Sequence, residues 1–154
     1  SNLCAQPETI KEVVDRSNLI VIGTAGNSES VVINYLKGQV ETHTEITVNE
    51  VIKGTLNQDT IKVSSPGGKI EEDRVLVEDA ATFRNGEKSL LFLNELNPRG
   101  AYRVPLCTGK LSIETIANNK VVPCFTRDLL DSMDCVNKDK HIELDKLIER
   151  IKAL

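Results

Sequence analysis

Four cysteines, two histidines and one acidic run are the residues of this chain whose types could do chemistry. Cys4 precedes the first strand-like segment, Cys107 follows the last core strand, and Cys124 and Cys135 lie in a C-terminal extension. No two stand as C-x-x-C, and His43 and His141 are far apart, which argues against a zinc site made of two close-spaced ligand pairs. The placement suits long-range stapling by two disulfides in an oxidising compartment. The plain alternative is free cysteines buried as small apolar side chains. His43 sits between two threonines, His141 opens the last apolar-periodic segment, and neither has a catalytic neighbour in sequence. Glu71-Glu72-Asp73 with Glu78-Asp79 could offer oxygens to Ca²⁺, but the spacing is not an EF-hand loop and such charge runs read as solvated surface. The chain contains no nucleophile elbow, phosphate loop, dinucleotide fingerprint or zinc-protease helix. The expectation is a non-enzyme with no catalytic residues, no metal and no cofactor.

The elements that position these residues belong to one domain-sized chain of 154 residues. A chain of this length buries roughly 68–70% of its unfolded surface, so its cysteines supplement a true core. Aromatic residues make up 3% and tryptophan is missing, which leaves Val, Ile and Leu to fill that core and favours sheet. The net charge of −4 argues against a nucleic-acid partner, which needs clustered Lys and Arg. Stacking of single strands needs aromatics in a basic groove, and Tyr35, Tyr102 and three phenylalanines are scattered. No apolar run reaches membrane-span length and no signal peptide is evident. Ser1-Asn2 reads as a remnant of tag cleavage and is set aside.

The periodicity predicts a helix over Pro7 to Arg16, with Ile10, Val13 and Val14 on one stripe. Leu19 to Gly23 (LIVIG) reads as a strand covered on both faces, and strand character resumes at Val31 after a polar break over Asn27 to Ser30. A second long strand spans Gln39 to Ile52. Its apolar alternation at Ile46 and Val48 slips to Val51, which predicts a β-bulge near Asn49-Glu50. Thr60 to Ser64 gives a third strand, and Pro66-Gly67-Gly68 is expected to leave the sheet. Residues 69–85 read as a long loop with a brief strand or helical turn. Glu87 to Leu93 and Ala101 to Leu106 form strands four and five around the loop Asn97 to Gly100. Beyond Cys107, Leu111 to Ile113 and Val121-Val122 suggest an accessory hairpin turning at Asn118-Asn119. Asp128 to Cys135 suggests a helical turn. Asp139 is read as the cap of an amphipathic helix presenting Ile142, Leu144, Leu147, Ile148, Ile151 and Leu154. The fold class is mainly β: a five-stranded Greek-key barrel of the OB type over residues 4–110, with helices at both termini. The hairpin and helix of residues 111–154 pack on the same domain.

The order of these segments carries a resemblance. A cysteine near the N-terminus and a short helix are followed by SNLIVIGTA, THTEITVNEVIKG, DTIKVSSPGG, NGEKSLLFL and YRVPLC. Over about Cys4 to Lys110 the chain resembles the netrin-like OB barrels, and within them the inhibitory domain of tissue inhibitors of metalloproteinases. Small secreted prokaryotic proteins of unknown role share its VxKG and GExxLLFL segments. The resemblance implies a disulfide from Cys4 to Cys107 and, by remainder, a local one from Cys124 to Cys135. The rival pairing joins Cys107 to Cys124. In the inhibitors, the amine and carbonyl of a first-residue cysteine chelate the protease zinc. Their pattern is Cys-x-Cys, and here Cys4 matches its second cysteine, while the loop Ser64-Ser65-Pro66-Gly67-Gly68 has none. The partner-binding ridge implied is Cys4-Ala5-Gln6 beside Ser64 to Gly68, where two glycines and a proline give a low profile. The function expected is that of a secreted or cell-surface protein-binding module, in its sharpest form directed at a zinc metalloprotease. The alternative is an OB barrel that binds a small molecule or glycan.

Overall fold

The structure is a computed structural model that describes residues 4–154; Ser1-Asn2 lie outside the described residues. Helix α1 (Ile10–Arg16) starts later than its proline suggests. Thr9 caps it, its side chain accepting from the Glu12 amide, and Ile10, Val13 and Val14 are buried. The two apolar runs of the N-terminal half become one long strand, β1 (Leu19–Asn34), and the break expected over Asn27 to Ser30 is reduced to a ladder irregularity at Gly26-Asn27, with Ser28 to Ser30 paired to β2. It pairs antiparallel with β2 (Gln39–Lys53). The ladder holds the polar residues in place, so the segment stays in the sheet despite its composition. The bulge is where the alternation placed it. Ile22 faces Glu50 and Gly23 faces Val48, leaving Asn49 as the extra residue, and Ile52 is skipped in the same way. Gly23 is required at this bend, since a Cβ there would overlap the Ile46 side chain.

β3 (Thr60–Pro66) pairs with β2, and Pro66 is its last residue, opposite Glu41, rather than outside the sheet. A strand end tolerates the missing N–H. Gly68 then opens a hairpin of β4 (Gly68–Ile70) and β5 (Asp73–Val75) within the segment expected to be mostly loop. β6 (Lys88–Leu93) pairs with the other edge of β1. The fifth strand shrinks to β7 (Tyr102–Arg103), which lies parallel to β3, and Pro105 blocks its extension. The Asn94 amide donates to the Arg103 carbonyl at 2.9 Å, linking the end of β6 to β7. With β8 (Lys110–Ser112) on β6, the main sheet runs β7-β3-β2-β1-β6-β8 and is open.

The extension departs from its predicted form. The hairpin comprises β9 (Glu114–Ile116) and β10 (Asn119–Pro123), turning through Ala117 and Asn118, both at positive φ. Leu111, expected in that hairpin, instead sits in β8 with its side chain buried. A short helix, α2 (Arg127–Leu130), follows. The predicted cap at Asp139 is displaced. The turn from Asn137 to Lys140 feeds β11 (His141–Glu143), which pairs with β10, so His141 and Ile142 are strand residues. α3 (Leu144–Lys152) begins only there, burying Leu144, Leu147, Ile148 and Ile151, while Leu154 is exposed.

Leu19 to Ile22 of β1 and Leu90 to Leu93 of β6 are covered on both faces, which explains their unbroken apolar runs. Leu19, Val21, Leu91 and Leu93 join Ile46, Ile61, Val63 and Val104 in an inner cluster. Their alternates Ile20, Ile22, Leu90 and Phe92 join the α1 stripe and the extension (Phe125, Leu129, Ile142, Leu147) in an outer cluster. Both disulfides implied by the family resemblance are present. Cys4–Cys107 spans 103 residues with Cα atoms 5.7 Å apart, and Cys124–Cys135 spans 11 with Cα atoms 6.3 Å apart.

Candidate functional site

The inner face of the β1–β2–β3 sheet changes character along its length. Ala25, Ile46 and Ile61 form one apolar row across the three strands. The next row is Ser28, Thr44 and Val63, and the one after it is Ser30, Thr42 and Ser65. Period-two side-chain alternation turns S-x-S on β1 and T-x-T on β2 into one hydroxylated surface. Read along the chain, these residues look like a polar break and a solvated strand.

Pro66-Gly67 divides two concavities at this end. On one side lies a cavity of about 400 Å³ floored by the hydroxyls and roofed by Lys69, Arg74 to Val77 and Ala80 to Phe83. On the other is a groove of about 580 Å³ lined by Ile33, Val40, Val75, Val77, Val104 and Leu106, with Arg99 and Arg103 also on its wall. Leu36 and Leu76, near this end in the β1–β2 turn and after β5, are largely exposed.

The outer face of β2 shapes that groove through a buried polar network. Glu41 receives Arg99 Nε at 2.8 Å and Nη2 at 3.1 Å, a two-point clamp. Asn97 Nδ2 donates to the same carboxylate at 3.2 Å, and His43 Nε2 lies 2.6 Å from it. Burial opposes ionisation of Glu41, but hydrogen bonds and charges from Arg99 and His43 outweigh it and hold its pKa below the usual glutamate value. The network pins the loop between β6 and β7 against β2 and β3. His43 is thus a structural partner of Glu41.

The sequence-derived ridge falls on two adjoining surfaces. Ser64 to Gly67 line the apolar groove, and Gly68 lines the hydroxyl cavity. Cys4, Ala5 and Gln6 line a third hollow with Thr108 and Arg16, joined to the groove through a shared wall of Asn94, Pro105 and Leu106. Among the described residues, one set of metal-capable side chains converges: Cys4, Asp79 and Cys107, with ligand atoms within 4.8 Å. The two sulfurs are bonded to each other and offer no thiolate. Glu71 and Glu72 form the β4–β5 turn and are not in the group that converges with Asp79. His141 Nε2 lies 3.6 Å from Glu114 on the accessory sheet, remote in the fold from His43.

Among the described residues no helix is long and apolar enough to cross a membrane, and two disulfides are compatible with an extracellular location. No protein-family model matches the chain, and no curated protein matches it.

Proposed function

We propose that this protein is a secreted or cell-surface binding module of the netrin-like type, non-enzymatic, whose partner is another protein. In this reading β1, β2, β3, β6 and β7 form an OB-type barrel. The parallel β3–β7 pairing and the hydrogen bond from Asn94 to Arg103 support it, because an OB barrel closes through that junction. The observation that carries the functional reading is the groove. Apolar side chains from the distal ends of β1 and β2, from β5 and the segment after it, and from the segment after β7 converge there on a concave surface. Arg103 forms no ion pair among the described residues, and Arg99 is already clamped by Glu41. The occupant is therefore a partner segment that inserts apolar side chains and sets a carboxylate against Arg103.

A zinc endopeptidase is the partner class to which the resemblance points, with Cys4-Ala5-Gln6 meeting it beside the groove. Titration of the oxidised protein against a panel of zinc endopeptidases tests this, with Leu106→Asp as the groove variant. Inhibition weakened by Leu106→Asp supports the reading, and no inhibition at micromolar protein retires the protease partner. N-terminal sequencing of the natural mature protein separates the mechanisms, because amine chelation of zinc requires Cys4 to be residue one.

A further inference from the structure

The hydroxyl cavity has its own chemistry, on the far side of Pro66-Gly67 from the apolar groove. We propose that it binds a small polyhydroxylated anion, a polyol or sugar bearing a phosphate or carboxylate. This inference stands apart from the protein-binding reading and shares no ligand with it.

The floor is a fixed array. Ser30, Thr42 and Ser65 lie directly opposite one another across three strands, where facing Cβ atoms are about 4.5–5.5 Å apart. Ser28 and Thr44 form the adjoining row. Existing hydrogen bonds leave both kinds of capacity open. Thr42 donates its proton to the Gly67 carbonyl at 2.8 Å, so its oxygen can still accept. Ser30 Oγ accepts from the Lys69 amide at 2.8 Å, so its own proton can still be donated. Ser28 and Thr44 share one hydrogen bond of 2.7 Å, leaving one further hydroxyl proton between them. A polyol, whose hydroxyls donate and accept, matches such a floor better than an apolar ligand would.

The rim supplies the charge. Lys69 and Arg74 are directly opposed in the β4–β5 hairpin and both line the cavity. Like charges so placed destabilise a hairpin, and neither residue makes an ion pair among the described residues. Glu71, Glu72 and Asp73 occupy the end of the same hairpin but line no part of the cavity. In a chain of net charge −4, two unpaired cations over an uncharged hydroxyl floor select an anion. Gly68 completes the fit. Its φ of 145° is open to glycine, and a Cβ there would come 2.9 Å from both Ser30 Oγ and Thr42 Oγ1. The hairpin backbone thereby closes onto the hydroxyls without filling the space between them.

The test is an amide-resolved NMR titration of the full oxidised chain with gluconate, glucose phosphorylated on its primary hydroxyl, glucose and inorganic phosphate. The expected result is saturable shifts at Ser30, Gly68 and Lys69, with one or both polyol anions bound about tenfold tighter than glucose and than phosphate. The stronger of the two identifies the anionic group. Lys69→Gln with Arg74→Gln should weaken that binding about tenfold without lowering the melting temperature, and Thr42→Val should weaken glucose and the anions alike. The proposal is overturned if neither polyol anion shifts these amides at about 10 mM. Binding as tight for phosphate or glucose alone, or full binding by the double variant, overturns it equally.

Discussion

The two halves of the β1–β2 hairpin are built from the same strands and serve opposite ends. In the basal half, from Leu19 to Ala25, alternate side chains enter two separate apolar clusters, so the strand is buried on both faces. In the distal half, from Ser28 to Asn34, the inner face is hydroxylated and much of the strand is exposed. The outer face of the distal β2 carries Glu41 and His43, which hold a loop in place by polar bonds. Apolar burial on two faces gives stability and leaves no room for a partner. Single-sided support leaves concave space, and that space must be held open by hydrogen bonds and a covalent tie.

The largest expected effect tests that tie. Cys4–Cys107 closes the longer loop and anchors the segment whose Pro105 and Leu106 wall the groove. Replacing both by alanine should cost up to about 4.7 kcal/mol, against somewhat under about 3 kcal/mol for the Cys124–Cys135 pair, whose loop is far shorter. Denaturant melts of the two double variants measure the difference, and both should fold. Equal losses would show that the open end needs its staple no more than the extension does.

Next comes Phe92→Ala, which empties a fully buried position in the outer cluster and should cost about 3–5 kcal/mol. Ligand binding at the distal cavity, measured by the same NMR titration, should survive wherever the variant is folded.

Glu41→Ala should cost less, about 1–3 kcal/mol, because it leaves Asn97 and His43 buried without their acceptor. The pH dependence follows from the same group. Its native pKa lies below the usual value, so its contribution is complete above the ordinary glutamate range and disappears as pH falls through the lower native value. Glu87, where burial also opposes ionisation and is outweighed by bonds led by that from Lys110, adds to the same acid-side loss. Urea melts across that range should show a shallower acid-side decline in Glu41→Gln than in the wild type. An unchanged slope would remove Glu41 from the account.

The smallest effect on stability is expected from Thr44→Val, about 0.5–1.5 kcal/mol, the net worth of the hydrogen bond that buried Thr44 gives up with exposed Ser28. A larger loss by thermal melting would mean that the hydroxyl rows support the fold instead of serving a ligand.

Much of the basal half was legible in the sequence. LIVIG announces two-sided burial, EKSLLFL a strand, and the slip from Val48 to Val51 a bulge, because side-chain alternation in a regular strand is strict. The distal half was not. Ser28 and Ser30 read as an interruption, since hydroxyls carry no burial signal until a facing strand gives them partners. The start of α3 was placed too early for a related reason: Ile142 fits a helical stripe as well as a strand, and pairing with Val122 decides between them. The ridge residues were legible as a turn of low profile, but their division between two concavities depended on the β4–β5 hairpin folding over the sheet.

The sequence by itself determined a mainly β chain with a Val, Ile and Leu core, a bulged second strand and four cysteines with no C-x-x-C pair among them. Each of these follows from residue type and local period. Only the tertiary structure decided which hydroxyls meet across three strands, which arginine is clamped by Glu41, and that Lys69 stands opposite Arg74 above a cavity. Strand register fixes the hydroxyl rows and the Lys69–Arg74 pair, and Arg99 reaches Glu41 from a loop 58 residues away in the chain.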